Sequence, residues 1–331
     1  MPGRDAPRPE PPRPRAGAEA GAGPFDAVLL IAYGGPARPE DVRPYLAGIL
    51  KGRRVPPRRL EDVAHHYDLF GGRSPLTALT RLQAAALQAA LEAQGRRISV
   101  HVGMRNWHPY LHETLAAMRD AGIRRALGIV MAPHRSYASW EQYHENVADA
   151  LTRIGAGAPV VDFAPSWFDH PGFIEAQTGR VRDVLRTLPD AERPAATLVF
   201  TAHSIPAAMA ERSRYAEEFQ TSARLVAARV GHGGWRHAYQ SRSGDPREPW
   251  LEPDVKDVLR ELAGRGGRAA VMVPIGFVSD HIEVLYDLDT EAREAAARLG
   301  IAYYRAQTVM DHPAFIGMLA GLVAAGSPRP A

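Results

Sequence analysis

The chain has 331 residues, 45% of them hydrophobic and 23% charged, with 40 Lys and Arg against 37 Asp and Glu and no cysteine. That length suits two domains, while the missing thiols exclude disulfides, thiolate zinc sites, Cys-ligated iron–sulfur clusters and Cys nucleophiles. Net charge is only +3, and no apolar run approaches the roughly 18 residues that span a bilayer, so the chain reads as a cytoplasmic protein.

Residues 1–24 are Pro, Ala, Gly and Arg with no large apolar side chain, and are expected to form a disordered tail. Without the tail's four Arg and three acids the remainder carries a net +2, which argues against nucleic acid as the main partner. From Phe25 onward short apolar runs alternate with helical patterns, the signature of βαβ units and parallel sheets. In the first half the expected strands are 27–32, 98–103, 127–132 and 160–163, with helices over 79–93, 109–121 and 140–153. In the second half strands are expected over 197–201, 237–240, 269–273 and 301–304, with helices over 173–188, 216–229, 253–263 and 281–299. The sequence VMAP at 130–133 returns as VMVP at 271–274, so the halves echo each other. The pattern predicts an α/β protein of two similar doubly wound, Rossmann-like domains, 25–164 and 165–308, whose parallel sheets face a common cleft. A last helix within 309–331 is expected to pack back on the first domain.

Ligands of such folds lie at the carboxyl ends of the strands. The residues there are Tyr33-Gly34-Gly35-Pro36, Pro133-His134-Arg135-Ser136, Ala202-His203-Ser204-Ile205-Pro206 and Pro274 through His281. His203 ends the apolar run TLVFT, a rigid placement suited to a general base or ligand; the bland alternative is a histidine bonded to a nearby carbonyl. Beyond the seventh strand Asp280, Glu283, Asp287, Glu291 and Glu294 recur at steps of three and four, which lines them along one helical face. No Lys or Arg lies three or four residues from Glu283, Asp287 or Glu291, so the row is self-repelling unless a cation or proton visits; a solvated acidic face is the alternative. His and carboxylates without Cys suit a borderline ion such as Fe(II), and the absence of any closely spaced His pair with an acid makes a metal substrate rather than permanent cofactor. Lys51, Arg53, Arg54, Arg58 and Arg59 could meet an anionic ligand or form an ordinary solvated loop. Neither G-x-G-x-x-G nor a P-loop occurs, so nucleotide binding has no support.

Seven ordered segments carry a more specific resemblance: LLIAYGGP (29–36), EDVRPYL (40–46), GGRSPL (71–76), GMRNWHP (103–109), TAHSIP (201–206), QSRSGDPREPWLEPDV (240–255) and VPIGFVSDHIEVLYDLD (273–289). Over residues 25–325 the chain resembles the ferrochelatases, which insert ferrous iron into a porphyrin. The resemblance implies His203 and Glu283 as the catalytic and metal-contacting pair, with Asp287 and Glu291 continuing a metal-delivery row. It implies Fe(II) and porphyrin as substrates, no permanent cofactor or iron–sulfur cluster, and transient exchange with haem-pathway enzymes. Tyr33, within AYGGP, is similar to the branch that metallates coproporphyrin III, and Lys51, Arg53, His66, Tyr67, Ser74 and Tyr143 are then expected around the porphyrin and its propionates. Leu50 and His66 stand where that branch is expected to carry basic residues. A protoporphyrin IX ferrochelatase, a chelatase for another tetrapyrrole and a non-catalytic tetrapyrrole or metal carrier are the alternatives.

Overall fold

Strand β1 (Ala27–Ala32) is six apolar residues buried on both faces, as expected of a central strand in a parallel sheet covered by helices on either side. The computed structural model describes residues 25–51, 57–243 and 247–326, with the side chains of 57–59 not described. The expected tail and Arg53 lie outside the described residues. After β1 come α1 (Val42–Ile49), α2 (Pro57–Asp68) and α3 (Leu76–Ala93), then β2 (Ser99–Met104), α4 (Leu111–Asp120), β3 (Arg125–Val130), α5 (Glu141–Ile154) and β4 (Val160–Phe163). Next are α6 (Pro171–Thr187), β5 (Thr197–His203), α7 (Ala207–Glu211), α8 (Tyr215–Val230), β6 (Trp235–Gln240), α9 (Val255–Gly264) and β7 (Ala269–Val273). A π-helix (Val284–Ala292) runs into α10 (Arg293–Arg298), followed by β8 (Ala302–Arg305) and α11 (Pro313–Ala325).

The strands form two parallel four-stranded sheets ordered β2-β1-β3-β4 and β6-β5-β7-β8. These are the same order applied twice, so the VMAP and VMVP echoes end equivalent strands, β3 and β7. In both sheets the chain leaves the first strand to one side and returns to pair on the other, placing the topological switch point between β1 and β3 and between β5 and β7. Side chains of both sheets, such as Leu30, Ile129, Phe200 and Val271, share one apolar core with Phe315 of α11. That helix packs on α3 and α6. Trp167, Phe173 and Phe315 interlock there edge to face, with Trp167 5.1 Å from Phe173 and 5.8 Å from Phe315 between ring centroids. Among the described residues no helix is long and apolar enough to cross a membrane.

Two helices, α1 and α2, were not expected from the pattern. They bury Val42, Tyr45, Leu46, Ala64 and Tyr67 against Ile282, at the start of the acidic segment. That segment is the second departure: 284–292 is a π-helix, with its hydrogen bonds reaching five residues back, rather than the α-helix its three-and-four spacing predicts.

Candidate active site

His203 is the last residue of β5 and pairs in register with Gln240 at the end of β6. Its backbone is pinned from both sides: Tyr215 donates its hydroxyl to the His203 carbonyl at 2.8 Å, and Ser204 N donates to the Gln240 carbonyl at 2.7 Å. The ring is oriented by Nδ1, which donates to the Ser204 carbonyl, leaving Nε2 3.6 Å from Glu283 Oε1.

Glu283 arrives from the loop after β7, on the other side of the switch point. That loop can lie against β5 because residue 276 is glycine: a Cβ there would stand 2.7 Å from the Cα of Ala202. Gly276 N donates to the Thr201 carbonyl at 3.0 Å, so the loop is bonded to the strand that carries His203. Further along, Asp280 is held by Arg305 at 3.1 Å and Thr308 at 3.0 Å, Glu283 N donates to His281 Nδ1 at 3.1 Å, and Gln240 Nε2 donates to the Glu283 carbonyl at 3.2 Å. Burial opposes charge on both members of the pair, but each is overcome by the other: Glu283 raises the His203 pKa and His203 depresses that of Glu283. The resting pair is therefore an imidazolium beside a carboxylate, titrating as a unit. Asp287, next in the row, is pushed up to about 7 by burial and by the charges of Glu283 and Glu291, against a hydrogen bond from Ser241. The other strand-end histidine, His134, is buried beside Ser222 at 3.1 Å, and desolvation lowers its pKa to about 3, which marks it as a neutral structural residue.

The expectation of an uncompensated acidic row needs correction. Of Glu283, Asp287 and Glu291, the residues without a local cation, Glu291 is paired with Lys256 Nζ at 3.2 Å from α9, and at the row's start Asp280 is paired with Arg305 of β8. Local spacing could not show partners that come from other elements. Among the described residues no three His, Asp or Glu side chains are arranged to hold a metal ion. His203 and Glu283 offer two donors beside an open surface, with side chains 28% and 43% exposed.

Tyr33, following β1, is 42% exposed, and the Arg105 guanidinium lies 5.7 Å from its ring and 5.5 Å from that of Tyr143. Tyr67 and Tyr143 are buried hydroxyls whose pKa values burial drives up, so both stay protonated and able to donate. Tyr67 meets Tyr45 edge to face at 6.1 Å, and Tyr45 donates to the Gly34 carbonyl at 3.3 Å, joining α1 and α2 to the Tyr33 loop. Both tyrosines feel the charge of Glu283. His66 stacks on Tyr286 of the π-helix at 3.6 Å between centroids. Ser74 is buried, accepting from Leu76 N at 3.4 Å, and Lys51 is exposed at the end of the described α1 segment. Sequence reasoning assigned no task to Arg105, Tyr45, Gln240, Ser241 or Lys256, although all but Lys256 lie within the quoted motifs. Their position inside those motifs was the available signal.

Two parallel sheets of equal strand order, with a histidine and a carboxylate meeting across the switch point of one of them, define a chelatase-like α/β protein. Sirohydrochlorin chelatase SirB from Bacillus subtilis subspecies spizizenii, solved with cobalt, has the same fold at a TM-score of 0.53 and 13% identity, covering 92% of this chain and 96% of that one. The ferrochelatase family model matches residues 25–327, and the chain belongs to that family of metal chelatases. It is 45% identical over 302 residues to the coproporphyrin III ferrochelatase of Mycolicibacterium smegmatis, spanning 90% of this chain and 89% of the relative. A protein of the same name from Frankia alni is 46% identical over 314 residues, spanning 91% and 80%.

Proposed function

We propose that this chain inserts Fe(II) into coproporphyrin III to give coproheme, using His203 and Glu283 at the reacting centre. The observation that carries this reading is the 3.6 Å approach of His203 Nε2 to Glu283 Oε1, at a switch point where the fold places its ligand. Metallation exchanges one Fe(II) for two pyrrole protons. The resting pair holds one proton, which the imidazolium releases to solvent as the cation enters, and the freed imidazole then accepts one of the two pyrrole protons. Asp287, with a pKa about 7, is the neighbouring carboxylate that accepts the second pyrrole proton and passes it to solvent. Iron approaching along Asp287 and Glu291 meets Glu291 already engaged by Lys256, which holds the row's outer end until the incoming ion displaces the ammonium.

The macrocycle sits in this reading beside Tyr33, with Arg105 as a propionate partner that also orders Tyr33 and Tyr143, and with the hydroxyls of Tyr67 and Tyr143 as donors. Ser74 and His66 support the walls through Gly35 and Tyr286, and Lys51 and Arg53 keep the propionate role that the family resemblance implies. The named relatives favour coproporphyrin III over protoporphyrin IX. The enzyme works without a resident cofactor, in the cytoplasm, exchanging substrate and product with haem-pathway enzymes. Competition under anaerobic Fe(II) tests the substrate: coproheme should form in preference to protohaem, and a preference for protoporphyrin IX would refute the assignment. A carrier would yield at most one metallated porphyrin per chain.

A further inference from the structure

Gln83 lies on α3, in the first half of the chain, yet every bond of its side chain is made to the second half. It is fully buried. Nε2 donates to the Val278 carbonyl at 3.0 Å and to the Met310 carbonyl at 3.0 Å, and Oε1 accepts from Ser279 Oγ at 3.1 Å. Val278 and Ser279 belong to the loop that delivers Glu283. Met310 also donates its own N–H to the Val278 carbonyl at 2.9 Å, and it does so with φ of +47°, a left-handed conformation that a residue with a Cβ resists. That strained backbone closes a small network around Gln83.

The same helix holds the opposite wall. Six residues earlier, Thr77 Oγ1 donates to the Gly35 carbonyl at 3.4 Å, and Ser74, just before the helix, donates its N–H to Pro36 at 2.8 Å. Gly35 and Pro36 follow Tyr33. One rigid helix is therefore bonded at its first turn to the Tyr33 loop and, about 9 Å further along its axis, to the Glu283 loop. A propensity for good helix formers over this stretch would not need a buried amide; a buried amide with three partners is costly to place and specific once satisfied.

We propose that Gln83 is a positioning residue for metal insertion: through Val278 and Ser279 it fixes the Glu283 loop at a set distance from Tyr33, with α3 as the spacer. This rests on the reading of Glu283 as part of the reacting centre. Misplacing a reacting group by about 1 Å is enough to cost up to about a hundred-fold in rate. The nearly isosteric Gln83→Met removes all three bonds while keeping the core filled.

The test measures kcat, porphyrin affinity by fluorescence quenching and thermal midpoint for the full chain and for Gln83→Met, Ser279→Ala and the double variant, with Fe(II) and coproporphyrin III. Gln83→Met should lower kcat about ten-fold or more with porphyrin Kd little changed. Ser279→Ala should lower it less, and the two effects should fall short of additivity because they break a shared bond. A Gln83→Met protein that melts earlier but turns over at the parent rate at 25 °C would overturn the proposal, leaving Gln83 a purely structural residue. If Gln83→Met does not fold, Ser279→Ala decides alone: a reduced kcat at unchanged Kd supports the proposal and an unchanged kcat overturns it. Failure of the parent protein to turn over would count against the function itself, and is read separately from any difference between variants.

Discussion

Replacing Glu283 by Gln keeps the side chain's shape and removes its charge, so it isolates what the carboxylate does to His203. At 3.6 Å the attraction between unit charges is about 1 kcal/mol in water and about 5 kcal/mol at an effective dielectric of about 20. With the Glu283 side chain 43% exposed, solvent screening brings the working value toward the lower figure, about 1–2 kcal/mol, or about one pKa unit. Burial opposes the imidazolium, so without the carboxylate the His203 pKa should fall from about 9 by about one unit or more. An NMR titration of the His203 ring in the two proteins reads this directly, and metal insertion should fall by about 10² to 10⁴. A His203 pKa that is the same in the parent and in Glu283→Gln would refute the coupling, and an unchanged rate would refute the role in chemistry.

The pair also gives stability a pH dependence. The raised His203 pKa contributes stability that is complete below about 6.5 and lost as pH rises through about 9, while the depressed Glu283 pKa contributes stability that is complete above about 4.5 and lost as pH falls through about 2. The melting-point advantage of the parent over Glu283→Gln should therefore be greatest between about pH 4.5 and 6.5. Asp287 has the opposite sign, since its folded pKa is raised: Asp287→Asn, which still accepts from Ser241, should melt higher than the parent above about pH 7 and no higher below about pH 4, while slowing insertion. Lys256→Met should cost less than about 1 kcal/mol of stability, because both partners are two-fifths exposed, and should lower the apparent KM for iron by releasing Glu291. Arg105→Ala should raise KM for coproporphyrin III more than for protoporphyrin IX, which has fewer carboxylates for a cation to meet; equal effects would remove Arg105 from the propionate contacts.

Much of this site was legible because its residues end apolar strands. The apolar runs at 27–32, 160–163 and 269–273 match β1, β4 and β7, and His203 stands out as a polar residue at the end of one such strand. The helices α1 and α2 escaped because their charged and proline-containing sequences bury few apolar residues, and those against each other and the distant Trp107 and Ile282. The π-helix escaped because nine residues of acidic periodicity cannot separate four-residue from five-residue hydrogen bonding. Lys256 and Gln83 act across 35 and 195 residues of sequence, and spacing rules see only a turn or two.

Catalytic insertion at His203 is tested most directly by the yield of coproheme per chain. Under anaerobic conditions with excess Fe(II) and coproporphyrin III, the parent should form many molecules of coproheme per chain, and His203→Ala should bind the porphyrin, melt as a folded protein and form almost none. One coproheme per chain at most from the parent, or sustained turnover by folded His203→Ala, would contradict the account.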